Sequence, residues 1–457
     1  MKYKLSYYTV ITDNLHPDSG EDGTQVIYAT RMGKALSVKK KYMDMIKEGR
    51  FEELPLKLFS TLIKYEAIVP QEEDELLAVV TRSKNFVEDE KYVNFTIMPS
   101  AHCQLGCGYC GQSHAKDNMT SDMIFRIADR VREVLASGRY EVLDIAWFGA
   151  EPLVGLKNIR ALSPLLHEIA AEYGCDYNAR IITNGLSLKE KIYWELLEKH
   201  KITSFEITLD GTAEYHDQRR HTKEGTGTFD IIMRNLLNIL NNPKYDETAG
   251  GSINIRCNVD KKNVDGVVPL IHQIADYKLQ DKVNLYFATV YSWGNDAHLT
   301  AFTRQEYADL EIEWYIEMMK VGFKIQPIPG KVSFACYALT PHSELYDSYG
   351  NIFNCSEAPQ VASYKDDPYY NLGKLEDSPI IDPVKKPFTD WLDRVEDQDP
   401  SIWCPNCKIF PVCGGNCPKL WDDKLPPCPS YKFNIEDRLA LSYIYSKSNL
   451  LDPVVEA

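Results

Sequence analysis

The sequence predicts an α/β protein whose central part, residues 92 to about 322, folds as an open six-stranded partial (β/α)6 barrel. Six apolar or β-branched runs alternate with helical patterns over this stretch, the spacing of parallel strands joined by right-handed crossover helices. Polar segments directly follow three of these runs, and in such folds the chemistry lies at the C-terminal ends of the strands. Cysteines gather in two arrays, one after the first run and one between residues 336 and 428, which sets a further domain beyond the barrel.

Before the barrel, residues 7–12 and 25–30 read as strands joined by a polar turn region with Pro17, Gly20 and Gly23. Helical patterns follow at 38–47 and 54–65. Strands followed by helices give residues 1–90 a small winged-helix-like module. The barrel strands are expected at 92–98, 142–148, 180–183, 204–209, 252–259 and 283–290, with helices at 121–136, 162–173, 188–200, 229–240 and 264–277. The expected domains are therefore 1–90, 91–325, 326–432 and a C-terminal segment 433–457 whose helix, 435–447, serves packing.

A chain of 457 residues with 44% hydrophobic content can build two or three domains around real cores. No run approaches the roughly 18–20 apolar residues of a membrane span, and the start, MKYKLSYYTVITDN, is unlike a signal peptide, so a cytoplasmic location with no membrane partner is expected. The net charge of −15 disfavours nonspecific nucleic-acid binding. Twelve cysteines without a secretory signal argue for metal or cluster ligation rather than disulfides.

Cys103, Cys107 and Cys110 form C-x3-C-x2-C in a glycine-bearing loop with Gly106, Gly108 and Gly111. Three thiolates hold a 4Fe-4S cluster with one iron open for another ligand. His102 and His114 flank the triplet, so a Cys3His zinc site is the alternative. The residue before the last cysteine is aromatic, Tyr109. This pattern resembles the signature of radical S-adenosylmethionine (SAM) enzymes, in which SAM chelates the open iron and reductive cleavage yields a 5'-deoxyadenosyl radical. The resemblance extends along the barrel. Trp147-Phe148-Gly149-Ala150-Glu151-Pro152 resembles the family's G-G-E-P segment, with Ala150 in place of the second glycine, and Gly149 and Glu151 would then meet the SAM ammonium. Thr183-Asn184-Gly185, Thr208-Leu209-Asp210-Gly211 and His216-Asp217-Gln218-Arg219-Arg220 resemble segments of peptide-modifying members. Tyr109, Gly149, Glu151, Asn184, Thr208 and Arg220 are on this basis the expected SAM contacts; ordinary turn chemistry is the alternative for the Asn-Gly and Asp-Gly pairs. No catalytic base stands out.

The second array comprises Cys336, Cys355, Cys404, Cys407, Cys413, Cys417 and Cys428. It resembles the seven-cysteine pattern of the SPASM domain, which carries two auxiliary 4Fe-4S clusters and would bring the chain to three. The resemblance implies that Cys404, Cys407, Cys413 and Cys428 hold one cluster, and Cys336, Cys355 and Cys417 the other, with His342 or Asp347 among the possible fourth ligands. A zinc ribbon at Cys404 and Cys407 would leave the others unexplained. Trp403 and Phe410 would give apolar cover, and Cys175 and Cys257 read as core residues. The expected function is that of a maturase installing a thioether or carbon-carbon cross-link in a ribosomally made precursor peptide. Its leader would bind the N-terminal module, for which a structural extension that only covers the barrel is the alternative, and flavodoxin or ferredoxin would donate electrons. An anaerobic sulfatase-maturating enzyme, which forms formylglycine, and a non-catalytic iron-sulfur or zinc protein are the alternatives.

Overall fold

In a computed structural model the chain is described throughout except at residues 1, 16–22, 89–90, 248–250, 378, 380, 383–384, 448–454 and 457. It divides into two compact units. One comprises Met1–Asp89, Thr303–Leu339 and Asp390–Ala457, the other Glu90–Phe302 and Thr340–Thr389.

The first unit begins with β1 (Tyr3–Leu5), β2 (Thr9–Ile11), β3 (Thr24–Ala29) and β4 (Lys34–Lys39). These are followed by α1 (Lys40–Lys47), α2 (Leu56–Lys64), β5 (Ile68–Pro70) and α3 (Glu75–Glu88). β2, β3 and β4 pair antiparallel, and β1 pairs with β5. Part of the expected turn region, Pro17 and Gly20, lies outside the described residues. The helix expected from residue 38 instead starts at Lys40, because residues 34–39 are a strand that pairs with β3 along its whole length. Successive residues of a strand point to opposite faces, and β3 uses both. Ile27 and Ala29 join Leu36, Val38, Met43, Ile46, Leu58 and Leu62 in one core. Val26 and Tyr28 face the other way and pack with Ile409, Val412, Ile435, Leu439 and Tyr443. The N-terminal sheet thus shares a core with the cysteine-rich segment almost 400 residues later.

The second unit carries β6 (Tyr92–Ile97), α4 (Ser121–Leu135), β7 (Val142–Trp147), α5 (Leu156–Glu172), β8 (Asp176–Thr183), α6 (Glu190–His200) and β9 (Ile202–Thr208). It continues through α7 (Ala213–Arg219), α8 (Phe229–Leu240), α9 (Pro243–Glu247), β10 (Ser252–Val259), α10 (Val267–Asp276) and β11 (Val283–Thr289). The six strands run parallel in the order β6 to β11, each pairing with the next as the sequence predicts. One face of each strand packs beneath the helices; in β8 these residues are Ala179, Ile181 and Thr183. The other face is polar. Asn94, Asp144, Arg180, Glu206, Arg256 and Tyr286 line it, with Asn94 and Arg180 both donating to Asp144, and Tyr286 to Glu206.

In the first unit α11 (Arg304–Lys320) starts at a capping box of Thr303 and Glu306. The barrel sheet is then extended by β12 (Glu344–Tyr346), parallel to β6, and by β13 (Asn351–Phe353) and β14 (Gly373–Lys374), each antiparallel to its neighbour. Glu344 is buried and forms an ion pair with Arg130 of α4 at 2.7 Å. The chain closes in the first unit with α12 (Trp391–Glu396), α13 (Phe410–Cys413), α14 (Pro418–Asp422) and α15 (Tyr431–Lys447), the last interrupted at Asn434.

Candidate active site

The loop after β6 carries the cysteine triplet and is tied down on several sides. Gly106 and Gly108 donate their amides to the carbonyls of His221 and Arg219, at 2.9 and 3.1 Å, just after and at the end of α7. Lys223 N donates to Gln104 O at 3.1 Å, and Asn295 Nδ2 donates to Tyr109 O at 3.0 Å. Burial pushes the Cys103 thiol up to about 12 and raises Cys107 and Cys110 as well. Three enclosed thiols that resist ionisation alone are stabilised as thiolates by a metal cluster, so the residues present fit a 4Fe-4S group. Two donors already reach Cys103 Sγ, Leu105 N at 3.4 Å and Asn184 Nδ2 at 3.8 Å. Among the described residues no group of three or more His, Cys, Asp or Glu side chains is drawn in tightly enough for a single metal ion.

Glu151, at the end of β7, is 1% exposed and braces two strand ends. Its Oε1 accepts from Leu153 N at 3.0 Å and Thr183 Oγ1 at 2.6 Å, and its Oε2 from Asn184 N at 2.7 Å. Burial raises its pKa against these three donors. Asn184 is held between this carboxylate and Cys103. Gly149 has φ +114°, and a Cβ there would stand 3.0 Å from Met98 Cβ, so a glycine is required. Gly185 has φ +78°, and its Cβ would meet Ile207 at 2.8 Å. Thr208 is buried at the end of β9, opposite Arg256 in the sheet register.

Tyr109 and Arg220 meet in a polar network beside the loop. The Tyr109 hydroxyl donates to Asp210 Oδ2 at 2.7 Å and accepts from Arg220 Nη1 at 2.5 Å and Asn258 Nδ2 at 3.2 Å. The Arg219 guanidinium lies 4.7 Å from the Tyr109 ring centre and is paired to Asp260 at 2.8 Å. His216 accepts from Asp210 N at 3.1 Å through Nδ1 and stays neutral, its pKa lowered to about 3 mainly by burial. Asp217 accepts the amides of Thr228 and Phe229 at the start of α8. Asn258 and Asp260 were not singled out from the sequence; two polar residues on either side of Val259 at the end of a strand were the available signal.

In the first unit Cys404, Cys407, Cys413 and Cys428 line one pocket together with Trp403, Phe410, Trp421 and Lys432. Burial raises Cys413 to about 12 and Cys404 further, and the charges of the neighbouring cysteines push both in the same direction. Trp403 Nε1 and Lys432 Nζ approach Cys428 Sγ at 3.3 and 3.5 Å. Four converging thiols with sulfur-directed donors fit a cluster. Cys336 and Cys417 belong to the same unit, whereas Cys355, buried after β13, belongs to the barrel unit. Asp347 is engaged in the β12–β13 turn, its carboxylate accepting from Tyr349 N, Asn351 N and Asn351 Nδ2 at 2.8–2.9 Å. His342 stands 3.5 Å from Arg139. Cys257 is fully buried on β10, and Cys175 directs its thiol to Tyr140 O at 3.4 Å.

Residues 97–250 match the model of the radical SAM superfamily, a span holding the cysteine triplet and the strand-end segments through β9. The chain is 22% identical over 397 residues to the cysteine-type anaerobic sulfatase-maturating enzyme of Clostridium novyi, covering 78% of this chain and 97% of that one. It is 26% identical over 152 residues to an uncharacterized protein of Synechocystis sp., covering 31% of this chain and only 36% of that relative. Among solved structures it is similar to native anSMEcpe with bound AdoMet, with a TM-score of 0.56 and 16% identity, over 78% of this chain and 98% of that one. The last likeness establishes the fold. Residues 97–250, with their cysteine loop at the rim of a six-stranded parallel sheet, thus form a radical SAM domain, and this match together with the long alignment to a maturating enzyme supports an enzyme.

Proposed function

We propose that this enzyme oxidatively modifies a ribosomally made peptide or protein, and that residues 326–432 form a SPASM domain bearing two auxiliary 4Fe-4S clusters beside the one at the triplet. The observation that carries this reading is the convergence of Cys404, Cys407, Cys413 and Cys428 on one pocket, the number of thiolates that a complete auxiliary cluster requires. Cys103, Cys107 and Cys110 would hold the first cluster, which with bound SAM would supply radical chemistry for hydrogen removal from substrate carbon. Within the chain, Glu151 and Asn184 fix the strand ends around Cys103. The antiparallel β2–β4 sheet with its three helices suits leader capture by strand addition. Flavodoxin or ferredoxin is the proposed electron donor, and the compartment is the cytoplasm.

The reaction is read as formation of a thioether or carbon-carbon cross-link. Formylglycine formation is a second reading, favoured by the alignment to the sulfatase-maturating enzyme over 97% of its length. Mass spectrometry of a short Cys-containing peptide, encoded beside the gene and co-expressed with the enzyme, separates the two. Loss of two hydrogens with sulfur retained supports the cross-link; loss of the thiol sulfur with a new aldehyde supports formylglycine. An unmodified peptide alongside SAM cleavage would count against both.

A further inference from the structure

The sheet of β2, β3 and β4 can accept a further strand only beside β2 or beside β4. β2 is engaged by the cysteine-rich segment. Lys408 Nζ donates to Thr9 O at 3.3 Å, Lys408 O accepts from Thr30 Oγ1 at 2.7 Å, and the Tyr7 hydroxyl donates to Asn406 O at 2.8 Å. β4 already carries a strand of this same chain. β15 (Val455–Glu456) runs parallel to it, with Val455 beside Leu36 and Glu456 beside Ser37. The strand order is therefore β15-β4-β3-β2, and all four strands lie in the first unit.

The contact is short. β4 offers six residues, Lys34–Lys39, and β15 pairs with the middle two. Such a ladder forms few backbone hydrogen bonds, each of modest net worth, whereas an extended peptide running the length of β4 would form more. The charge around β4 favours an acidic partner. Lys34 and Lys39 at its two ends are exposed, as is Lys41 just beyond, and residues 448–457 read SNLLDPVVEA, an apolar, β-branched and acidic stretch.

We infer that β15 is a resident placeholder on the peptide-docking edge: residues 455–456 occupy β4 while no substrate peptide is bound, and an extended apolar and acidic stretch of that peptide takes their place. This rests on the reading that the N-terminal module captures the peptide by strand addition. A bare strand edge is also a template for aggregation, which a placeholder suppresses. Apparent peptide affinity is lowered by the fraction of molecules whose edge is occupied.

The test compares the full chain with a chain ending at Lys447, the last residue of α15, and with the full-length double variant Val455→Pro and Glu456→Pro, whose two residues have no amide to donate to a ladder. Two quantities are measured: amide hydrogen exchange of a peptic fragment spanning residues 34–39, and the dissociation constant of the short Cys-containing peptide encoded beside the gene. Both variants are expected to exchange faster than wild type over 34–39, to bind the peptide about three- to tenfold more tightly, and to regain protection when the peptide is added. Exchange over 34–39 that is unchanged in both variants overturns the placeholder. Faster exchange with no gain in peptide affinity and no renewed protection overturns the competition, and with it peptide capture at β4; the mass spectrometry described above still decides separately whether the peptide is modified.

Discussion

At the residue scale, Glu151, His216 and Asp217 build the site around the triplet, each spending its lone pairs on neighbouring amides or hydroxyls. His216 carries a pH signature. Its folded pKa of about 3 lies below the unfolded value, so its contribution to stability is complete above about pH 6.5 and is lost as pH falls toward 3. Unfolding free energy measured between pH 7 and 5 should therefore fall by about 1–2 kcal/mol through this group, and a His216→Asn variant should show a shallower slope; an unchanged slope contradicts the assignment. The grouping of Cys404, Cys407, Cys413 and Cys428 was implied by resemblance, and these four line one pocket. What lay beside the triplet was not legible, because Arg220, Tyr109 and Asn258 are brought together from three separate loops and strand ends, and no local pattern records that meeting.

At the scale of elements, the six barrel strands were legible because strands buried under helices read as apolar runs bounded by polar turns. The three-residue strands β12 and β13 were not, being too short for any periodicity. β4 was hidden because its last residues run directly into α1. β12 nonetheless fixes the sheet edge through Glu344, whose carboxylate is desolvated by burial but held below the usual range by Arg130 and Lys386. Glu344→Gln should cost about 3–5 kcal/mol of stability in a denaturant titration, because the buried Arg130 and Lys386 lose their counter-charge. A cost under about 1 kcal/mol would mean that the pair is not the clamp described. Thr303→Ala, which removes the capping box of α11, is expected to cost about 1 kcal/mol in the same measurement. Full stability in that variant would show the cap to be dispensable.

At the scale of the whole molecule, sequence order conceals one relationship. Residues 26 and 28 share a core with residues 409–443, so the N-terminal module is packed into the same unit as the cysteine quartet. Removing residues 1–85 would strip that apolar face and is expected to lower iron content and stability of the cysteine-rich segment, not peptide capture alone; a truncated protein with full iron content would contradict the shared core. The most direct test of the central claim is SAM cleavage by the anaerobically reconstituted enzyme beside a variant with Cys103, Cys107 and Cys110 all changed to Ala. The wild type should form 5'-deoxyadenosine under reduction, and the variant should form none while losing about four irons and keeping the rest. Continued 5'-deoxyadenosine formation by the variant, or iron content equal to that of the wild type, would contradict it.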